Sequence, residues 1–267
     1  MNSYVHLGEL KDRMNISGSA DDTETRLQAE AASRWVDNYC NRWFYLKTAV
    51  KKFDVHSPKI LTPHLVSVSE LALDTALTQT FTEVVLAANY LPYPYDGPPY
   101  FAIRFPSTSV YPALIAKQSY MARVTGSWGY PVTTTALGVN VGASGITSSA
   151  TALTVSADAA AIIYPGMTLL VESEQMHVTA VATVTITVQR GINGTTAAAH
   201  AAAVAVSRYE FDDNVVQATL IMAVRLSKRA DHGYANRMAV GDLGSIAPFA
   251  AVDPDVKQLL HRRRRMG

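Results

Sequence analysis

Cysteine is almost missing from this chain: Cys40 is the single one in 267 residues. That excludes an internal disulfide framework and a cysteine-based zinc site, and it fits a protein made in a reducing cytosol. Long apolar runs are missing too. No stretch of 18 apolar residues occurs, and no basic segment followed by an apolar run opens the sequence, so the expectation is a soluble protein with no secretion signal and no membrane partner. A strong overall charge is also lacking, since 23 Lys and Arg stand against 22 Asp and Glu. A protein that coats nucleic acid along a whole face carries a clustered basic surface and a high pI; here the pI is about 7.9.

Signatures of catalysis are absent as well. The seven histidines, at 6, 56, 64, 177, 200, 232 and 261, show no HExxH or other helical metal-ligand spacing. There is no GxSxG, no Walker A loop and no GxGxxG, and GVNVGASG at 138–145 has the spacing of none of them. Glu172 and Glu174, two apart on an expected strand, read as a solvated strand face. The expectation is therefore a protein that is not an enzyme and carries no cofactor and no metal.

What is present begins with composition. At 48% apolar residues the chain can bury one large core or two smaller ones. The first 44 residues read as helical. Leu7, Leu10 and Met14 recur at spacings of three and four, giving a helix over about 4–15 that Gly18 and its flanking serines end. Asp21 or Asp22 caps a second helix over 22–44, with Glu24 placed for a capping box. Leu27, Ala31, Trp35, Tyr39 and Trp43 recur every four residues along it, with Ala32, Val36 and Cys40 beside them, a wide apolar stripe that needs covering.

Residues 45–131 change to short β-type runs. PYPYDGPPY at 92–100 reads as a rigid aromatic loop between strands, because so much proline suits neither helix nor central strand. Residues 138–206 are rich in Ala, Thr, Val and Gly and read as an inserted small antiparallel β barrel or sandwich. Within it Asn193-Gly194 reads as a hairpin turn, and AAAHAAAVAV at 197–206 as the closing strand and exit. Helix returns over 213–231, capped by Asp212 or Asp213, with Val216, Leu220, Ala223 and Val224 as its buried face and His232-Gly233 near its end. Asp253-Pro254 opens a short last helix over 254–261. HRRRRMG follows; without Arg262–Arg265 the chain holds 19 basic and 22 acidic residues, so the basic character sits at one end. A helix C-terminus favours positive charge by roughly 0.3–1 kcal/mol per group.

Taken in order, YVHLGELKDRMNI (4–16), WVDNYCNRWFY (35–45), VTGSWGYP (124–131), VVQATLIMAVRLSKR (215–229) and DPDVKQLL (253–260) with its arginines resemble the head–tail connector (adaptor) proteins of tailed bacteriophages. GMTLLVESEQMHVTAVATVTITVQRGINGTTAAAH (166–200) resembles a small β module of phage structural proteins, marked by RG.NGT..A..H. The resemblance implies an α+β fold: a helical-bundle connector core from 1–137 and 207–267, a β-rich middle, and the inserted module at 138–206. It implies a ring of copies of this chain, expected to number twelve, at the virion neck and in the host cytoplasm during assembly. The ring docks on the portal protein, lets genome DNA pass through its lumen and receives the stopper or tail-completion protein. Portal docking then falls to Val256, Leu259, Leu260, His261, Arg262, Arg263, Arg264 and Arg265. Core and inter-subunit packing fall to Leu27, Trp35, Tyr39 and Trp43 with Val216, Leu220 and Val224. The alternatives are a DNA-binding virion protein using the arginine tail, or a tail or baseplate component whose β module binds carbohydrate.

Overall fold

The computed structural model describes residues 2–55, 59–106, 120–231, 237–239, 246–248 and 252–265. His56, His232 and Gly233 lie outside them. The chain forms two compact units, one from Met1–Arg42, Thr133–Ile192 and Thr196–Gly267, the other from Trp43–Val132 with Asn193–Thr195.

Among its described residues the first unit holds four helices. Helix α1 (Leu7–Met14) starts on a capping box in which Glu9 N–H donates to His6 Nδ1 and His6 N–H donates to Glu9 Oε2, two orphan donors satisfied together. Helix α2 (Asp22–Cys40) stops at Asn41, whose φ of 51° is left-handed; the Asn41 and Arg42 N–H groups bond back to Asn38 and Asp37 carbonyls. Asn tolerates that conformation, so the helix ends short of the expected 44 and Trp43 lies beyond it. Asp21 precedes α2 without a side-chain cap bond, and Asp22 instead receives Lys11 Nζ at 2.7 Å. Helix α3 (Asp213–Asp231) packs on α2, and α4 (Pro254–Leu260) packs on α3.

The second unit is built on an antiparallel sheet. Its strands are β1 (Leu46–Val55), β2 (Lys59–Asp74), β3 (Glu83–Val84), β4 (Leu91–Tyr93), β5 (Tyr100–Arg104) and β6 (Tyr120–Gly129). They lie in the order β1-β6-β2-β5-β4, with β3 paired to β2. Along β6, Tyr120, Ala122, Val124, Gly126 and Trp128 point inward. Gly126 is required, because a Cβ there would stand 2.0 Å from the Ser67 carbonyl oxygen. Gly129 takes φ +134°, and a Cβ on it would stand 1.9 Å from the Tyr45 carbonyl oxygen. Between them Trp128 Nε1 donates to Ala49 O at 2.9 Å. The phrase GSWG thus serves close strand packing. The 92–100 segment closes the β4–β5 hairpin, with Pro92 on the edge strand, where a missing N–H is tolerated.

The first unit also contains a six-stranded antiparallel sheet. Its strands are β7 (Thr133–Asn140), β8 (Ala152–Thr154), β9 (Thr168–Val171), β10 (Glu174–Ala182), β11 (Thr185–Gln189) and β12 (Ala205–Glu210), in the order β7-β12-β9-β10-β11-β8. Alternate residues such as Leu153, Leu169, Val171, Met176, Ile186 and Val206 form its core, as period-two patterning requires. Strand β13 (Arg237–Ala239) pairs antiparallel with β14 (Ile246–Pro248).

The expectation of a helical-bundle core is corrected here. Among the described residues the fold is mostly β, two six-stranded antiparallel sheets with four short helices. Among the largest fully buried side chains of the described residues, Leu10 alone belongs to a helix, while Trp128, Tyr120, Leu65, Leu71, Leu73, Ile103 and Leu153 belong to strands. The helices bury mainly small residues: Ala29, Ala32, Ser33, Val36 and Cys40 on α2, and Val215, Ala218, Thr219 and Ala223 on α3. Such faces make a close seam between helices and contribute little apolar volume.

Candidate functional site

The C-terminal segment is assembled by pairs that are distant in sequence. Asp253 caps α4 by accepting from Asp255 N–H at 2.9 Å, with Pro254 in the first turn. Its other oxygen receives Arg225 Nη1 from α3 at 2.6 Å. Burial alone would raise the Asp253 carboxyl, but the Arg225 hydrogen bond, the Asp255 and Val256 N–H groups and the Arg225 charge hold it below the usual carboxylate range. Val256 and Leu260, one turn apart, are both fully buried. Arg263 donates from Nε and Nη2 to Asp212 Oδ2 at 3.0 and 2.6 Å, while Asp212 Oδ1 caps α3 through Asn214 N–H. The Arg264 guanidinium lies 5.3 Å from the centre of the Tyr39 ring, and Arg265 N–H donates to Cys40 O at 2.9 Å.

The eight residues expected to dock on a partner therefore divide. Val256, Leu260, Arg263, Arg264 and the Arg265 backbone bind this chain. His261 and Arg262 are set outward and Leu259 is half-buried. With Lys257 and Gln258 they line an open groove of about 880 Å3 along α4. Sequence reasoning missed Lys257 and Asp255, although their position on the outer face of a capped helix marks them.

The expected packing residues stand on the margins of the helices. Leu27 is 51% exposed, Trp35 and Tyr39 are half-buried and stacked with ring centres 5.1 Å apart, and Val216, Leu220 and Val224 are half-buried. Ala223 is buried as expected, but the rest of the face of α3 buried within the chain is turned by one residue, to Val215, Ala218, Thr219 and Met222. Trp43 belongs to the second unit, where Lys51 Nζ lies 5.2 Å from its ring centre and 4.1 Å from that of Trp128.

A second cluster explains the RG.NGT..A..H phrase. Glu172 turns the β9–β10 hairpin with φ +53°, and Glu174, at the start of β10, has a fully buried side chain. Its solvated reading is corrected by that burial. Glu174 Oε1 accepts from Arg190 Nε (2.7 Å) and Gly191 N–H (3.0 Å); Oε2 accepts from Arg190 Nη2 (2.8 Å) and Ala198 N–H (3.0 Å) and lies 2.8 Å from His200 Nε2. His200 Nδ1 lies 2.6 Å from Glu172 Oε2. Arg190 Nη1 also donates to the Thr147 and Ala150 carbonyls at 2.8 Å. Burial pushes the Glu174 carboxyl up, but the Arg190, Ala198, His200 and Gly191 donors outweigh it and hold it down to about 2. The phrase encodes a clamp on the 190–200 loop, whose Asn193 and Gly194 both take left-handed φ. Every lone-pair direction of Glu174 is engaged, so this carboxylate has no capacity left for a substrate.

Among the described residues, no group of three or more His, Cys, Asp or Glu is placed to hold a metal ion, and no helix is long and apolar enough to cross a membrane. The chain matches no protein-family model and no curated protein.

Proposed function

We propose that this chain is the head–tail connector subunit of a tailed phage, a structural protein of the virion neck without catalysis. Copies assemble as a ring on the portal, genome DNA passes through the lumen, and the far side receives the stopper or tail-completion protein. The observation that carries the reading is the C-terminal segment: a short helix anchored by Val256, Leu260, Asp253–Arg225 and Arg263–Asp212, holding Lys257, His261 and Arg262 outward along one groove. Anchoring in advance lowers the ordering entropy lost on docking, and ring symmetry multiplies a modest contact over every subunit.

The test is size-exclusion chromatography with light scattering, on the full chain alone and with the purified cognate portal. The expected result is a ring or a portal complex, abolished by Lys257→Glu with Arg262→Glu while the circular dichroism spectrum stays unchanged. A DNA-binding virion protein is the competing reading, and the same outward cations would serve it. Its mark is duplex binding at physiological salt with a slope of about −0.9 per phosphate contact. A monomer that ignores the portal and shows that slope refutes the connector reading.

A further inference from the structure

The register of the second unit's sheet places an unusual set of side chains on its solvent side. In antiparallel pairing, residues directly opposite share a face. Leu61, Ala102 and Tyr93 are aligned across β2, β5 and β4, and Lys59, Arg104 and Leu91 form the next row. Their neighbours Ile60 and Ile103 point to the core and are buried. On the outer face Leu61 is 62% and Leu91 49% exposed. The Arg104 guanidinium sits 3.8 Å from the centre of the Tyr93 ring, and Tyr93 meets Phe101 edge-on at 5.1 Å.

An antiparallel sheet with one face in water ordinarily presents polar residues there. The β1–β6 end of this sheet does so, Val50 and Met121 apart, with Thr48 opposite Ser127 and Lys52 opposite Arg123. There Arg123 is paired to Glu70 at 2.6 Å. Arg104 has no carboxylate partner among the described residues, and only an aromatic ring supports it. An arginine stacked on tyrosine has the composition of an interface hot spot, where Tyr and Arg carry most of the energy, and the exposed leucines around it can form the surrounding ring that excludes water. The charge of Arg104, beside exposed Lys59, sets the complement.

We infer that the β2–β5–β4 face is a second protein-docking surface, whose partner presents a carboxylate among apolar side chains. This rests on the connector reading, within which the partner is the tail-completion protein, because the portal contact belongs to the C-terminal segment. Arg104 pairs with the partner's carboxylate while Leu61 and Leu91 bury against its apolar rim.

The experiment immobilises the full-length chain and measures binding of purified cognate tail-completion protein, cognate portal ring and a single-stranded DNA oligonucleotide. Wild type is compared with Leu61→Lys and Arg104→Glu, both at exposed positions and both checked by thermal melting. The inference expects each variant to weaken the tail-completion protein by about tenfold or more, with portal affinity unchanged. Equal binding of the tail-completion protein by all three chains overturns this inference and leaves the connector reading standing. Binding of neither partner by wild type overturns both. Loss of self-assembly in the variants makes a second copy the occupant, and loss of DNA binding alone makes it nucleic acid; either result overturns the inference.

Discussion

Replacing Glu174 by glutamine tests the account of the 190–200 clamp. The substitution keeps the shape but removes the charge opposite Arg190, whose side chain is only 6% exposed. It also turns one acceptor into an NH2 group that faces Arg190 or a backbone N–H. Breaking a buried ion pair from one side costs about 3–5 kcal/mol. Linkage gives a similar figure: a carboxyl held at about 2 against an ordinary 4.5 contributes about 3 kcal/mol at 1.36 kcal/mol per unit. Because the folded value is the depressed one, this stability is present above pH 4.5 and is lost as pH falls toward 2. The assay is urea unfolding by circular dichroism from pH 7 to pH 2.5, with hydrogen exchange to localise the change. The gap between wild type and Glu174→Gln is expected to be widest at neutral pH and to close with acid. Exchange should rise in β9, β10 and β12, and β1 and β6, whose core is separate, should stay protected. A gap below about 1 kcal/mol at pH 7, or one constant over the whole range, refutes the clamp.

Two further perturbations probe other parts of the chain. Gly126→Ala places a Cβ 2.0 Å from the Ser67 carbonyl oxygen of the paired strand, which backbone must move to relieve; a loss of about 2 kcal/mol or more in chemical unfolding is expected, and an unchanged midpoint contradicts the described β2–β6 register. Asp253→Asn removes both the α4 cap charge and the Arg225 ion pair. Since the Asp253 carboxyl is held below its ordinary 3.8, the docking of α4 should weaken in the wild type only as pH drops below that value, whereas the variant should show fast exchange over 252–265 at neutral pH. Equal exchange in the two proteins at pH 7 would show that the ion pair does not hold the helix.

Local chemistry was legible wherever one residue type answers one backbone need. Asp253-Pro254 marks a helix start, and the β-branched runs of 138–206 mark strands. Left-handed Asn41 was the local signal missed, and it shortened α2. Less legible was which side of a helix goes inward. Of the wide apolar stripe on α2, the Ala32, Val36 and Cys40 side is buried, with Ala29 and Ser33, while the bulkier Leu27, Trp35 and Tyr39 stand at its margin, because close approach to α3 favours small side chains. On α3 the inward face turned by one residue, about 100° of rotation, which an apolar run as continuous as VVQATLIMAV does not resolve.

By itself the sequence determined most of the helices and strands, since capping, φ preference and two-residue alternation act over a few positions; the Asn193-Gly194 turn, expected to close a hairpin, instead joins β11 to β12, which do not pair. Tertiary structure alone decided that sheets supply most of the core and that Glu174 is a buried clamp. It also decided that Arg263 is spent on Asp212 while Arg262 faces outward, and that Leu61, Tyr93 and Arg104 share one face. Each of these depends on which distant strands or helices pair. Pairing is set by the summed burial of whole faces, and no short stretch of residues contains that sum.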